Sequence, residues 1–398
     1  MTQSVRPVRV PTEIYNALGY LGTRLLFLNT RYAPQVHWGD VALALDGFPT
    51  DNLDLSSSAF WDDWRSRWSA RADEYLAIAD RSTTIAGRSR ALRSAAACYH
   101  WAEFMYFDDA GLKLQLRQQL RRAFLASLEG ADIELIQNEL PASADRPAVP
   151  YWIVLPPERL RPDGALPAVI LSNGLDSMTE VEVLSLAEAY LERGIAAVLF
   201  DGPGQGIQAG QTPVLIEMET VVADLVGRLA AEHPQIDTRR LAFAGISFGG
   251  YLGLRVADSV GDLFRCVVNF GGGPRLADFA ALPRRLKDDF RFAFLMEDAD
   301  EIQERFDALA LDPGEPPATQ VVSIHGALDD IFPVTGLEEL DRAWKPQHRL
   351  EVHPREVHVC MNVINVYTLQ TADWVAEKLA STEQQQTTLP AAGTGLRS

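Results

Sequence analysis

Three cysteines in 398 residues are too few for a disulfide framework. Cys98, Cys266 and Cys360 also lack metal-like spacing, so no zinc site is expected, and a reducing cytoplasm is the expected location. Positive charge is short as well: 36 Lys and Arg face 54 Asp and Glu, a formal charge of −18. Nucleic acids and anionic membranes are gripped by clustered Lys and Arg, so neither is expected as a partner. No apolar stretch reaches the ~20 residues that a membrane span needs. The first residues, MTQSVRPVRVPTEIYNALGY, lack the basic stretch and apolar run of a secretory leader. Internal repeats are missing too. What remains is a hydrophobic content of 47% and a charged content of 23%, ordinary for a soluble globular protein with one large core and a second module.

The chain changes character near residue 145. Up to Gly130 apolar residues recur every three or four positions, and no convincing strand is seen. The helical segments are PTEIYNALGYLGTRLLFLNTR (11–31), SSAFWDDWRSRWSARADEYLAIADR (57–81) and AAACYHWAEFMYFDDAGLKLQLRQQLRRAFLASLEG (95–130). Ser57 or Ser58 is placed to cap the second, ahead of Trp61 and Trp64. The aromatic run Tyr99, Trp101, Phe104, Tyr106 and Phe107 reads as a helix's buried face, with a pocket lining as the sharper alternative.

After the Pro-rich PASADRPAVP, short apolar strands alternate with helices: YWIVL, PAVILS, AAVLF, LAFAG, CVVNF, VVSIHG and LEVH. That alternation predicts an α/β domain with a mainly parallel sheet covered on both faces. A helical insert at about 274–316 falls on the carboxyl side of the sheet, where it suits a lid or pocket wall. The expected organisation is an all-helical region over 1–145, the α/β domain over 146–380, and a polar, disordered tail over 381–398.

The strongest local signal is Gly245-Ile246-Ser247-Phe248-Gly249, between the strand LAFA and the helical GYLGLRVADSV. A G-x-S-x-G in that setting is a nucleophile elbow, a turn so tight that its flanking positions must be glycine. The partners of Ser247 should follow in the order acid, histidine. VVSIHGALDDIFPVTG supplies the acid, and its Gly326 and Pro333 select Asp329, leaving Asp330 as a solvated loop residue. His358 follows the last strand and leads into the closing helix, whereas His353 falls within that strand. His325 reads as a packing or orienting residue. An oxyanion hole needs two backbone donors, and Phe248 and Leu175, the latter in Ser172-Asn173-Gly174-Leu175-Asp176, are in position to supply them. The Gly-rich DGPGQG (201–206) has neither a phosphate-loop Lys nor a dinucleotide fingerprint, so it reads as a structural loop under the site.

The NGLD loop, DGPGQG, GISFGG and HVCMN together resemble the α/β-hydrolase branch that contains 2,6-dihydroxypseudooxynicotine hydrolase and fungal polyketide-shortening enzymes. CYHWAEFMYFDD is similar to a motif of that branch's helical cap, and the resemblance covers roughly residues 15 to 380. It implies an α/β-hydrolase fold with an N-terminal helical cap, no cofactor and no metal, a small-molecule substrate, often a homodimer, and cleavage of a C–C bond beside a carbonyl. It also implies an auxiliary acid near the oxyanion loop, for which Asp176 and Glu180 are both candidates. Ester, lactone or amide hydrolysis, or acyl transfer, would use the same Ser247, His358 and Asp329. A non-catalytic binding protein on the same scaffold is the third reading.

Overall fold

The computed structural model describes residues 8, 12–14 and 30–380, apart from 52 and 145. The helix expected over 11–31 lies mostly, and the tail over 381–398 wholly, outside the described residues.

Among the described residues, the helices α1 (Trp38–Leu45), α2 (Ser58–Arg81), α3 (Ile85–Glu103) and α4 (Ala110–Ser127) precede the sheet. Phe60, Trp61, Trp64, Trp68 and Ala72 form the buried stripe of α2, at the three- and four-residue spacing seen in the sequence. Trp64 Nε1 donates to Trp101 O at 2.7 Å, which ties this stripe to α3. Ser57 does occupy the cap position of α2, but its hydroxyl makes no capping bond, and Ser58 Oγ instead donates to Asp108 at 2.6 Å. The helix expected through 95–130 is two helices. The chain breaks between Phe104 and Asp109, where Met105 adopts a φ of 56° and Asp109 accepts the Leu112 N–H at 2.9 Å to start α4. Tyr99, Trp101, Phe104 and Tyr106 are all buried, and none lines the pocket described below.

The sheet has eight strands: β1 (Glu134–Leu140), β2 (Val149–Leu155), β3 (Leu166–Ser172), β4 (Ala196–Phe200), β5 (Ile236–Ile246), β6 (Cys266–Phe270), β7 (Gln320–Gly326) and β8 (His348–His353). Their order is β1-β2-β4-β3-β5-β6-β7-β8, antiparallel through the first three and parallel from β4 onward. The central strands β3, β4 and β6 are buried along their whole length, as expected of parallel strands covered on both faces. Strand β1 has no counterpart in the sequence reading, so the sheet begins ahead of the boundary at 145 and ahead of the Pro-rich connector. It is an edge strand with only Leu140 buried, so ELIQNEL carries no apolar alternation to betray it.

The crossovers are α5 (Leu184–Leu191), which follows a π-helical turn at Thr179–Val183, then α6 (Met218–Glu232) and α7 (Phe248–Val260). The insert after β6 holds α8 (Arg284–Phe294) and α9 (Ala299–Leu309), while α10 (Val334–Ala343) and α11 (Ile364–Ala380) complete the cover. The N-terminal helices pack on both core and insert. Phe124 stacks on Trp152 at 5.7 Å, Phe107 meets Phe292 at 5.6 Å, and Arg285 pairs with Asp108 at 2.9 Å. No helix among the described residues is long and apolar enough to cross a membrane.

Candidate active site

Ser247 occupies the turn between β5 and α7 with a φ of 58°, a left-handed conformation costly for a non-glycine residue. Its neighbours make that turn possible. A Cβ on Gly245 would lie 2.0 Å from Gly249 O, and one on Gly249 would lie 2.3 Å from Ser172 O. The turn thus lifts the serine hydroxyl above the carboxyl ends of β3 and β5, at the start of α7.

Asp329 follows β7. Its Oδ1 accepts the N–H groups of Ile331 and Phe332, each at 2.9 Å, which leaves Oδ2 to meet His358 Nδ1 at 2.7 Å. His358 Nε2 in turn lies 2.8 Å from Ser247 Oγ. The three residues come from the ends of β5, β7 and β8, so only the folded sheet brings them together. Burial pushes the Asp329 carboxyl up, but the His358 imidazole, helped by His325, outweighs it and holds the group below the usual carboxylate value. His325 Nε2 lies 2.8 Å from Phe332 O and 3.5 Å from Asp329 Oδ2, so it braces the acid loop. Asp330 is exposed.

Gly326 opens the acid loop, its carbonyl accepting the Asp329 N–H at 3.3 Å, and it also answers to a close approach. A Cβ there would lie 2.3 Å from Val357 O, so glycine lets the histidine loop pass against the end of β7. Beyond His358 the backbone is strained: Val359 and Cys360 have φ values of 57° and 50°, and the Tyr367 hydroxyl donates to Val359 O at 2.8 Å to hold the bend.

Ser247 and His358 open on a pocket with about 530 Å³ of empty space, its mouth included. Leu175 and Phe248, whose N–H groups are the expected oxyanion donors, both line it. Phe290, Leu286, Phe332 and Met361 make much of the wall apolar, with α8 of the insert supplying the first two. Asp176 lines the pocket, and Gly174 separates its carboxylate from Ser247: a Cβ there would be 3.5 Å from Asp176 Oδ1 and 3.4 Å from Ser247 Cβ. Glu180 is elsewhere. It is buried against Arg121 at 2.8 Å and outside the pocket lining, and burial, opposed by Arg121, pushes its carboxyl up to about 7. Sequence reading missed two further lining carboxylates, Glu182 and Asp289. Neither stands in a motif that would have flagged it.

The DGPGQG loop lies beneath the oxyanion loop. Asp201 Oδ1 accepts from Asn173 Nδ2 at 3.0 Å, from Thr179 N at 3.1 Å and from Thr179 Oγ1 at 2.7 Å, while Gln205 Nε2 donates to the carbonyls of Asn173 and Gly174. Among the described residues no group of His, Cys, Asp and Glu has metal-holding geometry.

A sheet of this order, with a strained serine at the strand–helix turn and a histidine–acid pair facing it, defines an α/β-hydrolase, and the chain is a hydrolase. Residues 61–281, more than half of it, match the esterase FrsA-like family, to which the chain belongs, and residues 222–382 match the prolyl oligopeptidase family. The 2,6-dihydropseudooxynicotine hydrolase of Paenarthrobacter nicotinovorans is 27% identical over 363 residues, covering 87% of this chain and 92% of its own. The 20-hydroxy-prefusarin hydrolase of Gibberella moniliformis is 30% identical over 205 residues, 49% of this chain and 48% of its own, so the likeness spans about half of either protein. Among solved structures, 2,6-dihydroxy-pseudo-oxynicotine hydrolase superposes with a TM-score of 0.70 at 21% identity, over 87% of this chain and 93% of that one.

Proposed function

We propose that the protein cleaves a C–C bond beside a carbonyl in a small molecule, a β-diketone or aryl ketone, through an acyl-enzyme on Ser247. The observation that carries this reading is His358 held between Ser247 Oγ at 2.8 Å and Asp329 Oδ2 at 2.7 Å, in a pocket that also presents Asp176. Ser247 Oγ adds to the carbonyl carbon while its proton passes to His358 Nε2, and the N–H groups of Leu175 and Phe248 hold the resulting oxyanion. Collapse expels the neighbouring carbon with its electron pair, which is tolerable only when a second carbonyl or an aromatic ring delocalises it. The departing carbon takes one proton, which the imidazolium of His358 now carries, and Asp176, in the wall of the same pocket, is the carboxylate we assign to assist that transfer. Water then adds to the acyl group with His358 again as base, releasing the acid and restoring Ser247.

The two hydrolases above are named for small-molecule substrates, which supports a substrate of that kind here, and three buried, free cysteines suit the cytoplasm. Ester hydrolysis is the second reading, favoured by the FrsA-like esterase family itself. An ester leaving group is easier to expel, and the same Ser247, His358 and Asp329 suffice for it.

A matched pair separates the two: a β-diketone and the ester of the same acyl group, offered to wild type, Asp176→Asn and Glu180→Gln. We expect both substrates to be cleaved, and Asp176→Asn to slow the diketone more than the ester by about tenfold. Glu180→Gln should leave the ratio of the two rates unchanged, because that side chain is paired with Arg121 outside the pocket. Brisk ester turnover without diketone cleavage would decide for the esterase.

A further inference from the structure

The oxyanion loop is held from below and from the side by groups that never reach the pocket. Gln205 is fully buried and absent from the pocket lining, and its Nε2 donates to Asn173 O at 3.2 Å and to Gly174 O at 3.1 Å. The Gly174 carbonyl belongs to the same planar peptide unit as the Leu175 N–H. In a trans peptide these two groups point in opposite directions. Tying the carbonyl down to Gln205 therefore turns the Leu175 N–H up toward Ser247.

A second tie comes from the N-terminal helices. Arg117 of α4 is buried, and its Nη2 donates to Asp176 O at 3.1 Å, one residue past Leu175. Its Nη1 donates to Gly206 O, the residue after Gln205. The guanidinium is itself oriented by Glu103 at the end of α3, which accepts from Arg117 Nε at 2.9 Å and from Lys113 Nζ at 2.6 Å. Burial alone would raise the Glu103 carboxyl, but Arg117 and Lys113, with His100, hold it far below the usual carboxylate range, so Glu103 stays ionised. Breaking one member of such a buried set leaves a charge uncompensated away from water, which makes it a rigid anchor.

We infer that Gln205 is the positioning residue of the oxyanion hole, and that Arg117 makes the aim of the Leu175 N–H depend on the seated N-terminal helices. This rests on the hydrolase reading above, in which Leu175 is one of two oxyanion donors. The bridge from helix to hole runs Glu103, Arg117, then the backbone on either side of Gln205 and Leu175. Neither side chain lines the pocket.

The test uses the full chain with para-nitrophenyl acetate as substrate and benzyl trifluoromethyl ketone as inhibitor, since serine adds to the ketone to give a tetrahedral oxyanion. Gln205→Met keeps the length and removes the donor. Its kcat should fall about 10- to 100-fold with KM within about twofold, and ketone affinity should weaken by the same factor as kcat. Arg117→Lys keeps the charge facing Glu103 but loses the planar fork, so both quantities should fall together to a smaller extent. A purely structural role would lower the fraction of active enzyme without weakening the ketone. Folded Gln205→Met with wild-type kcat, or with reduced kcat and unchanged ketone affinity, would overturn the inference. If Gln205→Met does not fold, unchanged ketone affinity in Arg117→Lys overturns it instead. A wild type that neither turns over the ester nor binds the ketone would sink the hydrolase reading first, and the inference with it.

Discussion

Ser247→Ala is expected to lower turnover by about a millionfold while the protein stays folded. In the proposed mechanism the hydroxyl is the atom that becomes covalently bonded to substrate, so nothing else in the pocket replaces it. What would survive is the modest catalysis of the two proposed oxyanion donors and a bound substrate, attacked by water instead of serine. The fold should hardly notice. Removing the hydroxyl deletes one hydrogen bond, to His358, worth about 1 kcal/mol, and the elbow's conformation is imposed by Gly245, Gly249 and the strands rather than by the side chain. Turnover and a thermal melt on the same preparation check both halves. A folded variant with substantial activity would remove Ser247 from the mechanism.

The second large effect falls on Asp329. Asp329→Asn should cost about ten-thousand-fold in kcat, and Asp330→Asn less than about threefold. The geometry dictates the direction. Oδ1 accepts two backbone N–H groups, from Ile331 and Phe332, so an asparagine keeps its oxygen there and turns its amide NH₂ toward His358 Nδ1. Facing a donor, Nδ1 must give up its proton, which moves to Nε2, the atom that has to accept the proton of Ser247. The imidazole is then held in the wrong tautomer. Asp330 is exposed, so its loss removes only a surface charge. Steady-state rates for the two variants settle the ranking, and the reverse order would place the acid one residue later.

The expected Ser247, Asp329 and His358 could be picked out because each sits just after a strand whose local sequence is distinctive. The strands AAVLF and CVVNF are β4 and β6 at their full length, since wholly buried parallel strands leave an unbroken apolar run. Where burial is partial, the signal fades. ELIQNEL forms edge strand β1 yet reads as neither helix nor strand, and the break at Phe104–Asp109 hides in a continuous aromatic run. The auxiliary acid was open for a further reason. Asp176 and Glu180 are four residues apart, but Asp176 precedes and Glu180 lies within the π-helical turn at Thr179–Val183, and that turn carries Glu180 away to Arg121. Periodicity in the chain contains no such information. Gln205 and Arg117 are less legible still, because their roles consist of contacts to carbonyls that sequence does not bring near them.

The most direct test of the account is a fluorophosphonate added to the full chain, followed by intact mass and peptide mapping. A serine activated by His358 and Asp329 gives its proton to the imidazole, attacks phosphorus, displaces fluoride and keeps the phosphonyl group. The account predicts one adduct per chain, on Ser247, lost in Ser247→Ala and greatly slowed in Asp329→Asn. No adduct, or an adduct on another residue that persists in Ser247→Ala, would contradict it.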